Sequence, residues 1–109
     1  MLRPILGSEN GERVLLFLLA RTEGYATEIA RFFEVDLYSI QRQLDKFERG
    51  SLLVSRTAGR TRLYTFNPRY PFLRELTALL ERALSFYPEP TRQKLLMNRR
   101  RPRRRGKPL

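Results

Sequence analysis

The chain has 109 residues, with 22 basic and 11 acidic side chains, a formal net charge of +11 and an apolar share of 41%. Length and composition suit one globular core and exclude a long disordered chain. Neither cysteine nor histidine is present, which excludes disulfides, thiol redox sensing, zinc sites and Ser–His or Cys–His catalysis, and leaves any metal only carboxylates.

Residues 1–7, with Pro4 and Gly7, read as an extended lead whose Leu2, Ile5 and Leu6 can dock on the body. Ser8 or Asn10 can cap a first helix, with Glu9 and Glu12 near its positive end. That helix, about 11–21, is apolar without a break from Val14 to Ala20, so it should be buried on more than one side, with a dimer contact as the alternative use of that surface. Glu12, Arg13 and Arg21 bracket the apolar block too closely for a membrane span. The start of the chain shows no signal-peptide pattern, so the expected location is the cytoplasm. Gly24 follows as a helix end suited to positive φ.

The stretch 25–49 organises everything else. Ile29 and Phe33 repeat at four-residue spacing, with Ala26 and Ala30 as small neighbours, and mark a short helix. Glu34-Val35 is about the length of a helix-turn-helix turn, with Val35 as its apolar plug. Asp36 sits at an N-cap position, where its carboxylate can accept from the free N–H groups of Leu37 to Ser39. Ile40, Leu44 and Phe47 then form the inward stripe of a second helix, Leu37–Arg49. Its other face carries Tyr38, Ser39, Gln41, Arg42 and Gln43. A face serving solubility alone is usually Glu and Lys, whereas hydrogen-bonding groups of this kind suit base edges in a DNA groove.

Residues 52–56 and 61–66 read as two strands, and the link 57–60 contains the glycine that a hairpin needs. Arg56, Arg60 and Arg62 fall in or beside that link, where a two-stranded ribbon can lay cations along a phosphate backbone or into a minor groove. Pro68 and Pro71 punctuate a turn. A helix over 71–86 follows, carrying Leu73, Leu76, Leu80 and Leu84 with Phe72, Leu79, Ala83 and Tyr87 beside them. That stripe is wider than one small domain covers, so Phe72, Leu76, Leu79, Leu80 and Ala83 are the expected contact of a two-fold homodimer. Pro88 and Pro90 break the chain, and 91–97 offers one or two more turns with Leu95 and Leu96 inward. From 98 onward the chain is a basic tail. Arg99, Arg100, Arg101, Arg103, Arg104, Arg105 and Lys107 supply seven positive charges without an acid, leaving +4 for the rest. Such a tail should be disordered alone, and guanidinium groups pair well with phosphate.

The pattern I-A-R-F-F-E-V-D-L-Y-S-I-Q-R-Q-L-D-K-F-E-R-G-S-L-L resembles the winged helix-turn-helix of bacterial regulators of the ArsR type. It looks especially like short winged-helix proteins found near nucleotidyltransferase-type genes, and the likeness covers about 15–84. Many ArsR-type regulators sense metals through Cys and His, from which this chain departs. Such regulators also usually place a glycine where this chain has Ser51. The resemblance implies a mainly α fold with a small β-hairpin wing, a three-helix core plus C-terminal helix. It implies a sequence-specific regulator of transcription bound to double-stranded DNA. The alternative it implies is an interaction module partnering a nucleotidyltransferase-like protein, in the manner of an antitoxin. Residues 1–97 are the expected domain and 98–109 the tail. No cofactor is expected, and the scattered acids offer no nucleophile–base pair, so an enzyme is not. RNA is a weaker expectation, because the sheet-borne aromatic pairs of an RNA-recognition motif are absent.

Overall fold

In the computed structural model, which describes residues 1–97, the first residues are helical rather than extended. Pro4 stands in the first turn of a short helix, α1 (Arg3–Leu6), where its missing N–H leaves nothing unsatisfied, and Gly7 closes the turn at φ +82°. The physical reason is spacing. Leu2 and Leu6 lie four apart, so one helical turn sets both against the core, and Leu2 is only 6% exposed.

Ser8 caps the next helix, α2 (Glu9–Arg21), by accepting from the Gly11 N–H at 3.2 Å. Val14, Leu15, Leu16, Phe17 and Leu18 are all buried, so this surface serves the chain's own core. Helix α2 ends on Thr22 at φ +76°, not on Gly24. Gly24 lies instead in a two-residue strand, β1 (Glu23–Gly24), which the sequence did not suggest. Its lack of a side chain serves packing, since a Cβ there would stand 2.8 Å from Phe17 Cε1.

Two helices follow, α3 (Ala26–Phe33) and α4 (Leu37–Arg49), joined through Glu34 in the left-handed region at φ +57°. Val35 is half-buried in the turn, its N–H donating to the Ala30 carbonyl at 3.0 Å. Helix α4 ends on Gly50, but the positive φ falls on Ser51, at +66°. That is the position at which the resemblance to ArsR-type regulators implies a glycine. The Leu52 N–H closes the end by donating to the Phe47 carbonyl at 2.9 Å.

Strands β2 (Leu53–Ala58) and β3 (Thr61–Phe66) form an antiparallel hairpin, and β1 adds to the free side of β3 in the order β1-β3-β2. The hairpin is tighter than expected. Thr57 and Ala58 belong to β2, leaving a two-residue loop of Gly59 and Arg60 with positive φ at Gly59. Helix α5 (Leu73–Leu84) starts two residues after Pro71 and stops before Phe86. Helix α6 (Glu89–Leu96) begins at once after Pro88, because Pro90 is acceptable in a first turn. Leu95 is buried as expected, but Leu96 is 63% exposed, because α6 lays only one side on α2.

Helix α2 is the hub, packed against α1, α3, α4, α5, α6 and the sheet. Its buried Arg21 donates to the Leu95 carbonyl at 3.0 Å and the Lys94 carbonyl at 2.9 Å, which satisfies the last turn of α6. Glu12 is equally buried. It accepts from the Leu2 N–H at 2.7 Å and from the Tyr87 hydroxyl, so α1, α2 and the residue beyond α5 meet on one carboxylate. Among the described residues, six helices and a three-stranded sheet thus make the expected winged helix-turn-helix. Among the described residues, no helix is long and apolar enough to cross a membrane.

Candidate nucleic-acid interface

Helix α4 is attached by one stripe, Ile40, Leu44 and Phe47, and turns its remaining faces outward. Tyr38 is 68% exposed, and Gln41 and Arg42 are exposed beside it. The Arg42 guanidinium lies 5.8 Å from the Tyr38 ring centroid, one turn away, which limits where that long side chain reaches. The other two residues of the expected reading face are already engaged. The Ser39 N–H and hydroxyl donate to Asp36 at 2.9 and 2.8 Å, completing the N-cap. Those bonds, the backbone one first, hold the Asp36 carboxyl below its ordinary range. Gln43 is half-buried, and a Cβ on Gly11 of α2 would stand 3.1 Å from its Oε1. That oxygen is buried without a hydrogen-bond partner among the described residues. The outward row is therefore Tyr38, Gln41 and Arg42, continued by Asp45, also exposed.

The three arginines of the wing do not act alike. Cross-strand partners share a face, so the pairings Thr57–Arg62 and Ser55–Tyr64 put Arg62 on the α4 side of the sheet, while Arg56 pairs with Leu63 on the opposite side. Arg62 donates to Ser55 Oγ at 2.9 Å, and that hydroxyl donates to Glu48 Oε2 of α4 at 2.6 Å, tying wing to helix. Burial raises the pKa of the adjacent Tyr64, with the carboxylates of Glu48 and Asp45 adding to it. Arg56 is ion-paired with Glu23 of β1 at 3.0 Å. Arg60 stands exposed in the loop.

Between wing and helix-turn-helix lies a polar hollow of about 570 Å³. It gathers Gln41 and Asp45 of α4, Arg60 and Arg62 of the wing, and Arg31 of α3. The sequence alone did not single out Arg31. Its position off the Ile29/Phe33 stripe marks it as outward, but only the packing of the wing decides that this outward side is the hollow. The expected tail contacts, from Arg99 to Lys107, lie outside the described residues.

A second concavity is apolar, about 510 Å³, between α1, the end of α4 and α5, with Ile5, Phe47, Phe72, Leu76 and Leu79 in its wall. Phe72 is 64% exposed, and Leu76 and Leu79 are half-buried. Leu80 and Ala83, expected to face a partner, are buried in the core instead, because α5 lays that side on α2.

No protein-family model and no curated protein sequence matches this chain. Solved structures do. A double mutant of ZitR from Lactococcus lactis, in apo form, is similar with a TM-score of 0.55 and 23% identity, over 80% of this chain and 65% of that one. The adhesin competence repressor AdcR from Streptococcus pyogenes gives 0.51 and 11%, over 86% of this chain and 78% of that one. A MarR family protein of Mycobacterium tuberculosis, in complex with salicylic acid, gives 0.50 and 24%, over 85% and 75%. This chain spans just under two thirds of the length of the ZitR mutant. At these identities the likeness is one of fold, and the fold is that of winged-helix regulators.

Proposed function

We propose that this chain is a sequence-specific double-stranded DNA-binding regulator of transcription. One observation carries the reading. The exposed row Tyr38, Gln41 and Arg42 on α4 adjoins a hollow walled by arginines of the wing, so base-reading groups and phosphate-binding groups face the same way. Helix α4 enters the major groove, with Arg42 bidentate to guanine and Gln41 on adenine, while Arg60 and Arg62 hold the backbone beside the minor groove. Ser39 acts through the cap, and Gln43 through packing on α2. The arginine tail adds salt-sensitive affinity with little sequence information. The likeness to a repressor and to a MarR family protein supports a regulator of this kind, and the resemblance of 15–84 to ArsR-type regulators supports the same mode.

In this reading 1–97 is the domain, and two copies meet through Phe72, Leu76 and Leu79 around the apolar groove. Half-sites then lie about one helical turn apart, on the order of 34–36 Å. The same groove favours a second reading, an antitoxin-like module in which that face meets a nucleotidyltransferase-like protein. Fluorescence anisotropy of the full chain against a randomised duplex pool and its own upstream region, at several salt concentrations, tests the choice. Preference for the upstream duplex that persists as salt rises supports the regulator. Equal binding to both that vanishes with salt leaves only unspecific charge at work and favours the protein partner.

A further inference from the structure

Among the described residues three arginines have an acid beside them, Arg13 with Glu9, Arg21 with Glu28 and Arg56 with Glu23. The others described have no ion-pair partner among these residues, and three of those, Arg31, Arg60 and Arg62, stand together. None of them has a carboxylate within ion-pair distance among the described residues, yet all three line the hollow between α3, α4 and the wing. Asp45 is the one acid in that lining among the described residues, so the wall carries a surplus of two positive charges. Like charges brought together in excess of their counterion repel each other, and an entering anion relieves that repulsion. Ala26 and Thr27 line the same hollow at the start of α3, whose cap residue Tyr25 makes no side-chain bond, so free backbone N–H groups add to the attraction.

From this we infer that the hollow is a cradle for the sugar-phosphate backbone of one DNA strand, with Arg31 as a phosphate-binding residue contributed by α3. The inference rests on the regulator reading and deepens it. Gln41 lines the hollow and also stands in the outward row of α4, so when it meets a base edge, the strand bordering that groove passes through the hollow. Arg31 grips it from one side, Arg60 and Arg62 from the other. Guanidinium forks suit this work, since two parallel N–H bonds match two phosphate oxygens. Because every phosphate is alike, Arg31 contributes affinity and register but no base preference.

The test compares wild type, Arg31→Ala and Arg31→Lys by anisotropy on the preferred duplex and a scrambled one, across a salt series, with circular dichroism confirming that each folds. Arg31→Ala should lower the slope of log affinity against log salt by about 1 and weaken both duplexes by the same factor. Arg31→Lys should restore most of the slope. A scan of duplexes with single neutral methylphosphonates should find a position that weakens wild type but not Arg31→Ala. An unchanged slope in Arg31→Ala, with base preference intact in wild type, overturns the cradle and leaves the regulator standing. A lowered slope in a protein without base preference keeps the cradle and sinks the regulator.

Discussion

Helices α2 and α4 are both thirteen residues long, yet α2 buries eight of them and α4 only Ile40, Leu44 and Phe47. Helix α2 has neighbours on nearly every side, so its sequence is dictated by packing, down to a buried arginine and a buried glutamate that join distant segments. Helix α4 is held by a single stripe, and the residues on its other faces are constrained by little within the chain. Tyr38, Gln41 and Arg42 can be chosen for what they touch outside it. In the proposed function, stability and recognition fall to different helices, and substitutions should separate them.

The largest effect is expected in α2. Phe17→Ala removes a fully buried ring that packs on Phe32 and fills the space left by Gly24. It should cost about 3–5 kcal/mol in denaturant unfolding, and DNA binding should fall in step with the folded fraction. Next comes Tyr87→Phe, which deletes the hydroxyl donor to Glu12 and should cost roughly 1.5–3 kcal/mol. Burial alone would raise the Glu12 pKa, but hydrogen bonds from Tyr87 and the Leu2 N–H outweigh it and hold it below its ordinary 4.5. The stability Glu12 contributes is therefore complete above about pH 4.5 and lost as pH falls through its lower folded value. Urea midpoints across pH 2–7 should show a steeper acid loss in wild type than in Glu12→Gln.

In α4 the expectation reverses. Arg42→Ala should leave the unfolding midpoint within about 0.5 kcal/mol of wild type, yet cost about 1–3 kcal/mol on the preferred duplex and relax its base preference. A loss uniform across all duplexes would remove Arg42 from the reading row. Ser39→Ala should weaken the start of α4 without changing base preference, because its hydroxyl serves Asp36. The smallest effect has the opposite sign. Thr22 ends α2 at φ +76° and Ser51 ends α4 at φ +66°, where side chains are disfavoured. Thr22→Gly and Ser51→Gly should each stabilise by up to about 1 kcal/mol, the β-branched Thr22 more, measured as a shift in Tm.

Much of this architecture can be read from local pattern. The Ile29/Phe33 and Ile40/Leu44/Phe47 stripes, the Asp36 cap and the glycine-bearing hairpin are short-range signals, and each concerns residues within about two turns or one strand pair. What local pattern misread required knowledge of a distant neighbour. Gly24 resembles a helix terminator until Phe17 is packed against it. Residues 1–7 resemble an extended lead until α2 offers Leu2 and Leu6 a surface. Leu80 and Ala83 resemble a partner-facing stripe until α5 is laid on α2. Within the candidate site, Tyr38, Gln41, Arg42, Arg60 and Arg62 were legible as types in positions. Arg31 was not, because nothing in its own helix says which outward side will meet the wing.

By itself the sequence determined the kinds of element, their order, the helix-turn-helix with its hairpin, and the absence of thiol and imidazole chemistry. These follow from hydrophobic period, caps and composition, which act over a few residues. The packing of distant segments settled which charges have an acid beside them and which, among the described residues, do not. Ion pairing depends on a few ångströms between groups far apart in the chain, as between Arg56 and Glu23, and no period in the sequence encodes that distance.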